Sequence, residues 1–152
     1  MTDPTPAGGT VPGEPVPRLD HVGVLVRDLD AVADRWRDRF GLSVAAGFEA
    51  PSLDLRARFL AAGASTIELF TIDEPAALDR ALGRAPARID HIALRFDTAL
   101  GDLDLAGCAI RGPGRPDRIE EPFLIAGAEH VWTEPPGIDV LLQLITSTAA
   151  RR

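Results

Sequence analysis

Residues 18–27 are rich in valine, with Val22, Val24 and Val26 at every second position, and this period of two predicts a β-strand. The apolar spacing then changes to that of a helix with one buried face, formed by Leu29, Val32, Ala33, Trp36 and Phe40. Asp28 or Asp30 is suited to cap this helix at its start, and Gly41 is suited to end it. Three more strands are expected, near residues 42–48, 53–62 and 65–72. The first half therefore predicts the order strand, helix, strand, strand, strand.

The second half shows a similar but weaker pattern. A strand is expected over residues 87–96, after which Asp97 is suited to cap a short helix carrying Leu100, Leu103 and Leu105. Residues 111–117 are rich in Gly and Pro and predict a loop. Two strands complete this half, near residues 122–133 and 138–146. The second half thus repeats the order of the first less completely, with two expected strands after the helix instead of three.

Two short segments each occur twice, which indicates an internal repeat. Residues 18–24 read Arg-Leu-Asp-His-Val-Gly-Val and recur as Arg-Ile-Asp-His-Ile-Ala-Leu at 88–94. Near the end of each half, at 66–71 and 141–146, an apolar strand is interrupted by one polar residue. We therefore expect two βαβββ modules, at 18–72 and 87–147, joined by a linker at 73–86 with a helical turn near 76–82. The modules lie between a disordered Pro/Gly-rich tail at 1–17 and a tail at 148–152.

Four polar side chains interrupt the apolar strands at matching places: His21, Glu68, His91 and Gln143. Burying such a group without a polar partner costs on the order of 1–3 kcal/mol or more. A lone histidine in a strand is usually a hydrogen-bonded core residue, but two histidines in repeated Asp-His contexts favour a shared ligand. A divalent metal ion suits imidazole nitrogen together with carboxylate and amide oxygen. Four protein ligands around an octahedral ion leave two open positions, which are typical of a catalytic site.

Composition and charge narrow the classes of partner. The net charge is −7 and the pI about 4.9, which argues against nucleic acid as the main partner. The one cysteine permits no intramolecular disulfide, the first residues do not resemble a signal peptide, and no apolar run is long enough to cross a membrane. We expect a soluble cytoplasmic protein that acts on a small molecule, as a homodimer.

The repeated motif resembles the vicinal oxygen chelate superfamily, which includes glyoxalase I, methylmalonyl-CoA epimerase, extradiol dioxygenases and fosfomycin-resistance proteins. The resemblance runs from Arg18 to Thr146, and its main segments are 19–29, 37–42 and 89–94. It implies an α+β fold in which two tandem βαβββ modules pair curved mixed sheets around a metal-containing cleft. It also implies a divalent metal, Zn, Ni, Co, Mn or Fe. The family carries its metal ligands on the first and fourth strand of each module, here His21, Glu68, His91 and Gln143.

Residues 120–122, which read Glu-Glu-Pro, and 126–127, which read Ala-Gly, look most like the methylmalonyl-CoA epimerase branch. The chain nevertheless departs from that branch. Epimerases and glyoxalases of this kind have a base-forming glutamate where this chain has Gln143, and an amide cannot take a proton at neutral pH. The position of a second epimerase glutamate looks like Ser52 in this chain. Glu49 is near that position in the sequence but does not align with it. Ordinary methylmalonyl-CoA epimerase activity is therefore not expected.

A proton-transferring base must come from another residue. We expect Glu68 to leave the metal and act as that base, with Gln143 as a neutral ligand. His130 or Glu134 is the alternative, although the simplest interpretation of His130 is a solvent-facing polar residue. Several arginines could hold an anionic part of a substrate: Arg56, Arg58, Arg95, Arg111 and Arg115. Trp132 and Phe70 could line the cleft, with core packing as the simpler role.

Three functions remain open on these residues. The first is an isomerase, epimerase or lyase that stabilises an enolate or alkoxide next to a carbonyl, such as a tailoring enzyme for an acyl or polyketide-like intermediate. The second is a non-haem iron oxygenase with two histidines and one carboxylate, His21, His91 and Glu68. The third is a binding or resistance protein that sequesters a small molecule without turnover.

Overall fold

The computed structural model describes residues 17–111, 122–137 and 140–147. In the first half these form β1 (Arg18–Val26), α1 (Leu29–Phe40), β2 (Val44–Ala50), β3 (Leu55–Ala62), β4 (Ser65–Ile72) and α2 (Pro75–Leu82). The second half contributes β5 (Ala87–Phe96), β6 (Ala109–Arg111), β7 (Phe123–Ile125), β8 (Ala128–Glu134) and β9 (Leu141–Ser147). Pro17 is the only residue of the two expected tails that is described. Residues 112–121 also lie outside the described residues, and they include most of the expected loop and the Glu-Glu pair.

The helix caps follow from the sequence. The side chain of Asp28 accepts a hydrogen bond from the backbone N–H of Ala31 at 3.0 Å, so Asp28 rather than Asp30 caps α1. Gly41 ends α1 in the left-handed conformation, with φ 70°, and its N–H bonds the carbonyl of Arg37. The linker helix α2 begins one residue before the expected helical turn at 76–82, and Glu74 caps it by accepting from two backbone N–H groups.

The second half differs from the expectation at two places. The helix expected after Asp97 is wrong: the described chain makes only a 3₁₀ turn at Leu100–Asp102, with no side-chain cap. Gly101 within it disfavours a longer helix. The single strand expected over 122–133 is a hairpin, β7 and β8, because Ala126 and Gly127 both take positive φ and form its turn.

Among the described residues, nine strands form one mixed sheet in the order β2-β3-β4-β1-β5-β9-β8-β6, with β7 paired to β8. The centre of the sheet is the antiparallel pair β1–β5, and each of these strands has a parallel partner on its other side, β4 and β9 respectively. The repeated motifs therefore lie side by side at the middle of the sheet. The expected α+β fold is confirmed.

Two β-bulges interrupt the central β1–β5 pair. Asp20 is the extra residue on β1, because Leu19 pairs with Leu94 while His21 pairs with Ala93. Asp90 is the extra residue on β5, between His91 and Ile89. A bulge changes the direction of the side chains that follow it and is common next to active sites. Here each bulge places an aspartate beside the histidine that follows it.

The two faces of the sheet bury different clusters, as the alternation of apolar residues predicts. On one face α1 packs through Leu29 and Ala33 onto a cluster of Val24, Val26, Leu60 and Leu69. On the other face a second cluster joins β1, β3, β4 and α2, formed by Leu25, Ala57, Phe70, Ile72 and Leu82.

The described helices include none long and apolar enough to cross a membrane.

Candidate metal centre

Three of the four predicted ligands meet at one point on the second face of the sheet. Oε2 of Glu68 lies 3.2 Å from Nε2 of His21 and 3.3 Å from Nε2 of His91. The two Nε2 atoms are themselves 3.3 Å apart. Both histidines are buried, and one ligand atom from each of the three residues falls within 4.8 Å of the others. These distances suit a shared small cation.

Strand register explains how side chains from distant segments converge. Gly23 on β1 pairs with Glu68 on one side and with His91 on the other. In the equivalent row, Ala93 on β5 pairs with His21 and Gln143. In each set of three paired residues the central one, Gly23 or Ala93, is small. It leaves space for the two large polar side chains on either side to approach each other. A Cβ at Gly23 would overlap the imidazole of His91, with Nε2 at 2.5 Å. The small residue two positions after each histidine was the sequence signal for this arrangement.

Gln143 lines the same cavity as the other three residues. Its Nε2 lies 2.8 Å from Nδ1 of His130, and its Oε1 is buried without a hydrogen-bond partner in the described structure. If the amide donates to Nδ1, the other ring nitrogen of His130 carries the proton, and Oε1 is left free to act as a ligand. An unpartnered buried oxygen beside two imidazoles and a carboxylate fits a divalent metal.

His130 is therefore not the solvent-facing residue that the sequence indicated. It is half-buried in the cavity wall and stacks at a tilt near Trp132, with ring centroids 6.3 Å apart. Burial, together with the positive charge of Arg95, lowers the pKa of His130 to about 4, so the ring is neutral at pH 7. Glu134, the other alternative base, does not line the cavity and pairs with Arg111 at 3.0 Å.

An aspartate orients each predicted histidine ligand. Asp20 lies 2.7 Å from Nδ1 of His21 and accepts a bond from Nε of Arg95 at 2.6 Å. Asp90 lies 3.1 Å from Nδ1 of His91 and also pairs with Arg88. A carboxylate on Nδ1 fixes the tautomer that presents Nε2 to a metal and makes that nitrogen a stronger donor. This role was not expected from the sequence, although the aspartate precedes the histidine in both repeats.

The charges in this cluster stabilise one another. Burial opposes ionisation of His21, but hydrogen bonds to Asp20 and Glu68 outweigh it and raise the pKa of His21 to about 9. The pKa of His91 is also raised, since its bonds to Asp90 and Glu68 outweigh burial. For Glu68 the two imidazoles outweigh burial and lower its pKa to about 2. In the metal-free chain the carboxylates therefore hold protons on both rings, and a divalent ion would take the place of those protons.

The comparisons with known proteins agree with this architecture. A family profile described as a glyoxalase-like domain matches residues 19–120, about two thirds of the chain. The chain belongs to the glyoxalase-like domain family. Through this family it is a member of the vicinal oxygen chelate superfamily, as the repeated motif indicated. A search of proteins with curated function found no match.

Solved structures similar to this glyoxalase-like chain include methylmalonyl-CoA epimerases. The enzyme from Mycobacterium tuberculosis is 20% identical with a TM-score of 0.68, and the match covers 85% of this chain and 87% of the epimerase. A variant of the Streptomyces coelicolor epimerase, in complex with 2-nitronate-propionyl-CoA, is 24% identical with a TM-score of 0.69. That match covers 87% of this chain and 95% of the epimerase. At these identities the similarity establishes the fold.

Neither Ser52 nor Glu49, the residues compared with the second epimerase glutamate, lines the main cavity of this glyoxalase-like domain. Ser52 is exposed in a 3₁₀ turn and lines a groove outside the main cavity. Glu49 is exposed on β2 and lines neither space. Glu68 is the only carboxylate among the described residues that line the main cavity.

Four of the five arginines considered as anion ligands lie in the described residues, and each of these four interacts with a carboxylate of the chain. Arg56 pairs with Asp73 at 2.6 Å, and Arg95 pairs with Asp20. Arg58 bonds the carbonyl of Ala57 and lies 3.4 Å from Asp30. Arg111 pairs with Glu134, and Arg115 lies outside the described residues. Phe70 and Trp132, in contrast, are both buried and line the cavity, so they combine the two roles considered for them.

Replacing Asp20 by Asn is expected to weaken metal binding about 10- to 100-fold, because the amide is a poorer partner for Nδ1 of His21. The measurement is the dissociation constant for Zn²⁺ or Co²⁺ in competition with a chelator. Asp97→Asn is the matched control, since Asp97 is exposed and pairs with Arg18 away from the cavity. Equal affinities for the two variants would contradict the positioning role of Asp20.

Proposed function

We propose that this chain is a divalent-metal-dependent enzyme acting on a small oxygenated substrate, as an isomerase, epimerase or lyase. The observation that carries the proposal is the convergence of two buried imidazoles and one carboxylate in the wall of a cavity. A divalent ion held there would supply positive charge to stabilise an enolate or alkoxide. Membership of the glyoxalase-like family supports an enzyme of this type.

The residues take distinct roles in this proposal. His21 and His91 hold the metal through Nε2, with Asp20 and Asp90 fixing their orientation. Gln143 contributes its unpartnered Oε1 as a neutral ligand, and His130 holds the amide in that orientation. The cavity wall excludes water from the reacting atoms, which strengthens electrostatic stabilisation.

Glu68 is proposed to move the proton. It is ionised at neutral pH, as a base must be, and its contacts with both histidines are made through Oε2. Its low pKa in the metal-free chain makes it a weak base in this position, and a metal ion bound beside it would have the same effect, so Glu68 acts after rotating away from the cluster. A tailoring step on an acyl or polyketide-like intermediate suits this base better than methylmalonyl-CoA epimerisation, because Gln143 and Ser52 stand where the epimerase glutamates are expected.

Glu68→Gln tests the role of the base, because the amide keeps an oxygen for the metal but cannot accept a proton. Metal-loaded protein is incubated in D2O with a panel of 2-hydroxycarbonyl and 1,3-dicarbonyl compounds and with methylmalonyl-CoA. Deuterium incorporation above the uncatalysed rate is expected in at least one carbonyl compound, with little in methylmalonyl-CoA. Glu68→Gln is expected to slow that incorporation by about 100-fold or more.

Glu49→Gln is the control for this experiment, since Glu49 is exposed and does not line the cavity. It is expected to exchange deuterium at the rate of the unaltered protein. Full exchange by Glu68→Gln, with its metal content unchanged, would show that another group is the base. A chain that binds metal but exchanges nothing in the panel would favour a binding or resistance protein.

A second candidate is a non-haem iron oxygenase. The observation in its favour is the composition of the cluster, which is two histidines and one glutamate. The test is oxygen consumption by protein loaded anaerobically with Fe²⁺ and then exposed to air with catechol. Consumption that depends on His21, His91 and catechol would favour the oxygenase, and deuterium exchange without oxygen consumption would favour the isomerase or lyase.

A further inference from the structure

The cavity at the metal site is polar at one end only. It encloses about 270 Å³, and its polar end is formed by His21, Glu68, His91, His130 and Gln143. Elsewhere its described wall presents carbon, chiefly from Phe48, Leu55, Phe59, Phe70 and Trp132. Walls of this kind bind the body of a ligand by excluding water, while the few polar groups orient it.

The apolar wall continues towards the surface. A second, shallower groove shares four lining residues with the cavity: Phe48, Leu53, Ile125 and Ala126. It then extends along the β7–β8 hairpin past Phe123 and Leu124, and Leu124 is 70% exposed. A ligand whose polar group binds at the polar end of the cavity could therefore extend an apolar chain or ring along the groove, between the two halves of the domain.

We infer that the substrate is a molecule with two neighbouring oxygens at its head and an uncharged, apolar alkyl or aryl body, an inference that rests on the proposed function. The described lining of the cavity contains no arginine, and four of the arginines considered above are held by carboxylates of the chain itself. A carboxylate or phosphate on the body of the substrate would lose its hydration in the cavity without gaining an arginine or lysine partner among the described lining residues. An apolar body gains free energy from the same walls.

Hydroxamates test this inference, because they present two neighbouring oxygens to a metal and differ only in the body that they carry. The full chain is loaded with Co²⁺ and titrated with acetohydroxamate, benzohydroxamate and 4-carboxybenzohydroxamate, with the visible cobalt spectrum as readout. Benzohydroxamate is expected to bind at least about tenfold more tightly than acetohydroxamate, from burial of its ring. The added carboxylate is expected to remove most of that gain. Cobalt is measured after gel filtration to show that the hydroxamate binds without stripping the metal.

A pair of variants locates the effect in the cavity wall. Ile125→Asp introduces a charge where the cavity and the groove meet, and is expected to reduce benzohydroxamate affinity at least about fivefold while cobalt content is unchanged. Val44→Asp is the control, since Val44 is 43% exposed on β2 and lines neither space. It is expected to behave as the unaltered chain.

The outcomes separate this inference from the function on which it rests. Cobalt binding with equal affinity for acetohydroxamate and benzohydroxamate, or with tighter binding of the carboxylated compound, would overturn the apolar substrate and leave the metal enzyme standing. Failure of the chain to bind cobalt would overturn the proposed function, and this inference with it.

Discussion

Protein freed of metal is expected to lose stability as the pH rises from about 6.5 to about 9, and divalent metal is expected to restore it. His21 has a pKa of about 9 in the folded chain, against about 6.5 unfolded, and the pKa of His91 is also raised. A raised pKa contributes stability that is fully present below pH 6.5 and is lost as the pH passes through the folded value. For His21 alone the loss is up to about 3 kcal/mol, or roughly 5–10 °C in Tm for a chain of this size.

The lowered pKa values of Glu68 and Asp20 do not affect this window. Both carboxyls have a pKa of about 2 in the folded chain, so their contribution is lost only as the pH falls below about 4. A metal ion replaces the protons on the two histidines, so its binding should release protons and tighten as the pH rises. The increase in Tm on adding Zn²⁺ is therefore expected to be larger at pH 8.5 than at pH 6.

Differential scanning fluorimetry across this pH range measures the effect, and calorimetry in buffers of different ionisation enthalpy counts the protons released. His91→Ala is the comparison variant, since it removes one of the three clustered ligands and should abolish the gain from metal. A gain in Tm that is the same at both pH values, or that persists in His91→Ala, would mean that the metal binds elsewhere.

Gly23→Ala is expected to disrupt the site more than any other change of one methyl group. The added Cβ would overlap the ring of His91, whose Nε2 would lie 2.5 Å away. The ring cannot easily move aside, because it is 3% exposed and packs near Phe70 and Trp132, with ring centroids at 5.7 Å and 6.3 Å. We expect a loss of about 2–4 kcal/mol in the free energy of unfolding and at least about 100-fold in metal affinity.

Gly101→Ala is the matched control for this substitution. Nothing lies within 4 Å of a Cβ built at Gly101, and its φ is not in the left-handed region. Its stability and metal affinity should match those of the unaltered chain, as measured by chemical denaturation and chelator competition. Unchanged metal affinity in Gly23→Ala would contradict the arrangement of His91 over β1.

The sequence by itself was sufficient for the first half of the fold and for grouping the polar side chains that line one cavity. Helix α1 and its caps are determined by local patterns, namely apolar spacing, Asp28 before the first turn and Gly41 after the last. The meeting of these side chains was predictable because the Asp-His motif is repeated and because His21, Glu68, His91 and Gln143 each interrupt an apolar strand. In the second half the apolar spacing was too weak to separate a helix from the 3₁₀ turn at Leu100–Asp102.

Tertiary structure decided how these residues cooperate, because cooperation depends on the register between β1 and β5. The register makes Asp20 and Asp90 the bulged residues, and so directs each aspartate to its histidine. It also brings Gly23 beneath His91, where there is room for the ring. Pairing of β8 with β9 lets His130 reach the amide of Gln143. No local pattern contains these contacts, since each joins residues whose distance is set only when the strands pair.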